Sequence, residues 1–104
     1  MNNIKVFLRS KNYNATGVLK DGKLIVKKGS VISKCFKTNY AYSKKVKKYR
    51  DSAEYVDERF VVLQDIEFSS PSTASQFVLG YSSNGWKTWR LENKEYLIVY
   101  KKEV

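Results

Sequence analysis

The chain has 104 residues, with 20 Lys/Arg against 10 Asp/Glu, no histidine, one cysteine and a formal net charge of +10. This length fits a single domain over residues 1–104. A content of 42% hydrophobic and 14% aromatic residues belongs to a chain that folds, because disordered segments are poor in aromatic side chains. The missing histidine removes the usual general base and every histidine-containing metal site. One cysteine cannot build a cysteine-rich zinc site or an internal disulfide, and no P-loop or dinucleotide fingerprint is present. The expectation is a domain without enzymatic activity, metal or cofactor. No run approaches the ~18–20 apolar residues of a membrane span, and the opening apolar stretch is broken by Lys5, unlike a secretory signal. Cys35 reads as a small buried hydrophobe in a reducing, cytoplasmic compartment.

The charge is unevenly distributed. Residues 1–50 hold 14 Lys/Arg against one acid, Asp21, and residues 51–104 hold 6 against 9 acids. From Gly22 to Arg50 there are ten basic residues and no acid. AT-biased coding accounts for lysine outnumbering arginine, but not for acids avoiding the first half. Such asymmetry points to a face that binds a polyanion.

In chain order, Ile4, Val6 and Leu8 alternate with Lys5, Phe7 and Arg9, which predicts a first strand. Lys11–Asn14 is a loop. Ala15–Lys20 and Lys23–Lys27 are two strands around Asp21-Gly22, a dipeptide suited to the positive φ values of a type I′ hairpin turn. Gly29-Ser30 punctuates, and Val31–Phe36 suggests another strand. Tyr42, Val46, Tyr49 and Ala53 form one helical stripe, predicting a helix over Ser43–Tyr55 with an Arg50–Glu54 pair near its end. Phe60–Phe68 reads as a strand. Ser70 is a good N-cap for a short helix over Pro71–Leu79, which Gly80 closes. Tyr81–Gly85 turns into Trp86–Arg90, and a second turn at Glu92–Lys94 leads to a last strand, Tyr96–Tyr100. The fold class expected is α+β, a mostly antiparallel sheet with two short helices.

Three segments can carry chemistry. On the first predicted helix Lys44, Lys45, Lys47 and Lys48 are placed to contact phosphates, while Tyr40 or Tyr42 stacks on a base. A solvated charged face with its tyrosines in the core fits the same pattern, and Tyr49 lies on the buried stripe. In the second segment Ser69, Ser70 and Ser72 surround a helix start whose free N–H groups suit an anion; helix capping explains them equally simply. The third runs from Ser83 through Asn84, Trp86, Lys87 and Trp89 to Arg90. In a strand Trp86 and Trp89 face opposite sides, leaving one exposed for stacking or docking; a helical turn instead puts both indoles inside. Asp65 and Glu67 would share a strand face, but further ligands for a metal are missing.

Together these segments resemble domain of unknown function 4357. The resemblance is carried by Ala15-Thr16-Gly17, Asp21–Ser30, Phe68–Ser75, Val78-Leu79-Gly80 and Ser83–Trp89. Its most specific part is the Ser-Pro-Ser helix start followed by the Asn-Gly-Trp turn. Domains of this kind occur at the ends of GIY-YIG nucleases and near restriction–modification systems. A similar helix start and turn, in a fainter likeness, occur in the domain associated with restriction adenine methylases. The resemblance implies a DNA-targeting module. No nuclease domain precedes it in this sequence, so it implies either action in trans with a separate nuclease or methylase, or a changed role.

Two functions follow as expectations. One is a non-catalytic nucleic-acid-binding domain, with DNA favoured. The other is a protein-interaction module, in which exposed Trp and Tyr side chains and basic charge dock an acidic partner.

Overall fold

The computed structural model describes residues 3–36, 43–81 and 83–100 of the chain. Strands β1 (Ile4–Ser10), β2 (Tyr13–Lys20), β3 (Lys23–Val26) and β4 (Ile66–Phe68) form one antiparallel sheet in the order β1-β2-β3-β4. With helices α1 (Ser43–Arg50) and α2 (Pro71–Leu79), the fold is α+β, as expected. The predicted hairpin is present: Asp21 and Gly22 have φ values of 53° and 81°.

The period-2 alternation divides the sheet into two unlike faces. Val6, Leu8, Ala15, Leu19, Leu24, Val26, Ile66 and Phe68 are buried on one face. Helix α2 covers it, contributing the fully buried Ala74, Phe77 and Val78, with the Phe68 and Phe77 rings 5.1 Å apart. The helix has both of its predicted ends. The Ser70 hydroxyl accepts from the Thr73 N–H at 3.2 Å, and Gly80, at φ 87°, donates its N–H to the Gln76 carbonyl at 2.8 Å.

Four expected elements differ. Helix α1 stops at Arg50, short of Tyr55, because the Ser52 hydroxyl accepts from the Glu54 N–H and offers the backbone a turn. Of the strand expected over Phe60–Phe68 only Ile66–Phe68 pairs in the sheet. The Asp57 carboxylate accepts from the Arg59 and Val61 N–H groups, Phe60 takes a positive φ of 63°, and Val62 folds back to bridge Val56. The Val31–Phe36 strand reduces to a bridge at Val31. The last strand is instead a 3-10 turn over Leu97–Tyr100, whose Leu97 is drawn into the core. Tyr42, expected on the α1 stripe, lies outside the described residues; Val46 is fully buried, whereas Ala53, beyond the helix end, is exposed.

Arg50 departs most from expectation. It does not pair with Glu54 but is buried, donating to the carbonyls of Phe77, Ser33 and Cys35, with its guanidinium 5.0 Å from the Phe36 ring centre. Burial pulls its pKa down to about 10, opposed by Asp51 and Cys35, so it remains charged at neutral pH. Arg50 thus satisfies one carbonyl near the end of α2 and two in the strandless Ser33–Phe36 segment. That segment passes so close to Gly80 that a Cβ there would sit 1.8 Å from the Cys35 carbonyl oxygen. Cys35 itself is exposed, not buried as expected, because its backbone rather than its side chain is held against the core. Arg50→Ala strands these three carbonyls. It should lower unfolding free energy by at least about 3 kcal/mol in urea titration, given ~1–3 kcal/mol for each buried unsatisfied group.

Candidate functional site

The Ser-Pro-Ser helix start and the Asn-Gly-Trp turn are brought together, and they clasp each other. Asn84 caps a 3-10 turn over Gly85–Lys87, its Oδ1 accepting from the Trp86 N–H at 3.0 Å. The Gly85 N–H donates to the Ser72 hydroxyl at 2.9 Å, and the Ser75 and Ser83 hydroxyls are 2.6 Å apart. Trp89 is fully buried and its indole N–H donates to the Pro71 carbonyl at 3.0 Å. Gly85 is needed for the approach: a Cβ there would lie 2.1 Å from the Pro71 carbonyl carbon.

This geometry corrects part of the expected site. Trp89 is sealed in the core and cannot stack on a ligand. The helical turn, and not a strand, sets both indoles, and Trp86 is half-buried against the core. The hydroxyls of Ser70 and Ser72 are engaged in capping and in the clasp. Ser69, Asn84, Lys87 and Arg90 are exposed.

The lysines of α1 are exposed as a group. Lys47 pairs with Asp51 one turn later, while among the described residues Lys44, Lys45 and Lys48 make no ion pair. Tyr49 packs edge-on against Tyr55 and Phe68 at 4.8 and 5.6 Å, which fixes it as a core ring. Tyr40 lies outside the described residues.

A second basic surface is the other face of the sheet. Strand register sets Lys5 beside Val18 and Ile25, Phe7 beside Thr16, Arg9 beside Asn14, and Lys20 opposite Lys23. Facing lysines on paired strands repel, and here the arrangement is relieved on one side by Glu67, 3.4 Å from Lys23. Asp65 accepts from the Lys27 ammonium at 2.9 Å and the Lys28 N–H at 2.8 Å. These two bonds hold its carboxyl below the usual carboxylate range. Asp65 lies one residue before β4 and Glu67 within it, and each is engaged with a lysine. Both stand at the β4 side, whereas Lys5 and Arg9 stand at the β1 side. Past β1, Phe7 and Arg90 exchange backbone hydrogen bonds of 2.8 and 2.9 Å, which extends the face to Arg90 and its bridge partner Tyr96. The alternation of Lys5, Phe7 and Arg9 was visible in the sequence; the long-range pairing that adds Arg90 and Tyr96 was not.

These features define a small α+β domain with a basic, solvent-facing sheet surface. Residues 6–101 match the family described as a domain of unknown function (DUF4357), and the chain belongs to that family. No curated protein and no solved structure matches it. No helix among the described residues is long and apolar enough to cross a membrane.

Gly85→Ala forces the clasp apart and should cost more than ~2 kcal/mol, as overpacking against rigid backbone does. Ser72→Ala loses one hydrogen bond and should cost about 1 kcal/mol. Thermal unfolding of the two variants side by side checks the order.

Proposed function

We propose that this domain is a non-catalytic nucleic-acid-binding module, with DNA the favoured partner. The observation that carries the reading is the placement of the basic residues. They are gathered on two exposed surfaces, the lysine side of α1 and the open face of the sheet, with few carboxylates among them. Cations presented this way neutralise phosphates and release condensed counterions, which gives affinity without sequence preference. The likeness to domains accompanying GIY-YIG nucleases and restriction–modification systems favours DNA, and a separate nuclease or methylase as the enzyme it serves. In that role the chain supplies binding and its companion supplies the chemistry.

A protein-docking module is the second reading. It draws on exposed Ile98, Val99 and Tyr100 on the last 3-10 turn, with Tyr81 also exposed. It predicts a co-purifying protein that nuclease treatment does not release.

Anisotropy titration of labelled duplex DNA across salt concentrations separates the two. Nucleic-acid binding should weaken steeply with salt. Changing Lys44, Lys45, Lys47 and Lys48 to Gln should flatten the slope by about 0.9 per lost phosphate contact. Absence of binding to single- and double-stranded DNA and RNA at ~50 mM salt, where such contacts are strong, would remove this reading and leave protein docking.

A further inference from the structure

The extended sheet face ends in a cleft of about 520 Å³ between β1 and the segment from Lys87 to Tyr96. Its volume is within the ~300–1,000 Å³ range of sites that enclose small ligands. Four cations, Arg9, Lys87, Arg90 and Lys94, line it against one carboxylate, Glu92. The rings of Phe7 and Tyr96 supply flat apolar surface, and each carries a guanidinium: Arg9 lies 4.2 Å from the Phe7 ring centre and Arg90 4.3 Å from that of Tyr96. Arg90 is further held by the Lys94 carbonyl and the Tyr96 hydroxyl. Among the described residues neither arginine forms an ion pair.

From this geometry we infer that the cleft takes an unpaired nucleotide of a single-stranded nucleic acid. This rests on the nucleic-acid reading above and names the form of ligand. A ring with a guanidinium at this distance offers π surface on which any base can stack, while the N–H groups not spent on Lys94 and Tyr96 remain available to a phosphate. The cations at the rim match the negative charge that every nucleotide brings. A base within a duplex has both faces covered by its neighbours, so it cannot enter a concavity; only an unpaired one reaches the two ring–guanidinium stacks.

The test compares labelled single-stranded DNA, single-stranded RNA and duplex DNA of equal length, with poly-glutamate as a competitor lacking bases. The intact chain should prefer a single strand, DNA or RNA, to the duplex, and poly-glutamate should compete poorly. Leucine at both Phe7 and Tyr96 keeps apolar bulk but removes the rings. It should weaken single-strand binding about five- to fiftyfold with the salt slope unchanged, as follows from the loss of base stacking rather than of charge. Arg90→Lys keeps the charge and loses the platform, and should act in the same direction. Tyr96 is exposed, so Tyr96→Leu carries the test alone if the Phe7 change proves unstable in a thermal melt. Three outcomes would overturn the inference: duplex bound as well as single strand, unchanged affinity in the folded leucine variants, or poly-glutamate competing as well as an oligonucleotide. Each of the first two leaves nucleic-acid binding itself standing, whereas failure to bind any oligonucleotide removes both.

Discussion

Trp89 is the constraint on which the arrangement of the C-terminal third depends. Its indole is buried beneath β2, where Gly17 leaves room for it: a Cβ at that position would meet the ring at 3.3 Å and the Leu24 side chain at 2.8 Å. Its N–H is tied to Pro71 at the head of α2, and its carbonyl accepts from the Leu97 N–H at 2.9 Å. With Trp89 fixed inward, the next residue along an extended backbone must point outward. Arg90 accordingly lies on the open face beside Phe7. One buried ring therefore aligns the helix start, the Asn-Gly-Trp turn and the outward arginine at the same time.

The most specific residues of the family resemblance thus have a structural account. Ser70 caps, Pro71 offers a carbonyl to Trp89, Ser72 receives the Gly85 N–H, and Gly85 permits the close contact. Their hydroxyls and N–H groups are largely spent on one another. The chemistry left for a partner is carried by side chains of less distinctive sequence, lysines and arginines whose placement depends on strand register.

Much of the fold was legible where one residue dictates local conformation. Asp21-Gly22 specified its turn, Ser70-Pro71 and Gly80 bounded α2, and Ile4–Arg9 announced a two-faced strand. Where a polar side chain takes a backbone partner, the apolar pattern misled. The apolar run after Phe60 looks like one strand, yet the Asp57 carboxylate bends it before it reaches the sheet. Arg50 looks like a surface cation on the helical wheel, yet three backbone carbonyls draw it inside. The candidate site shows the same division. The α1 lysines were legible from charge alone, whereas Trp89 inside and Arg90 with Tyr96 outside were set by the docking of Trp89 against Pro71.

The two acids on the β4 side give the open face a further property. Asp65 and Glu67 offset Lys27 and Lys23 there, while among the described residues Lys5 and Arg9, toward the opposite margin of the sheet, form no ion pair. The electrostatic potential across the face is therefore a gradient and not a plateau. Its positive end lies toward β1, so the face is electrically lopsided, a polarity written by strand register alone.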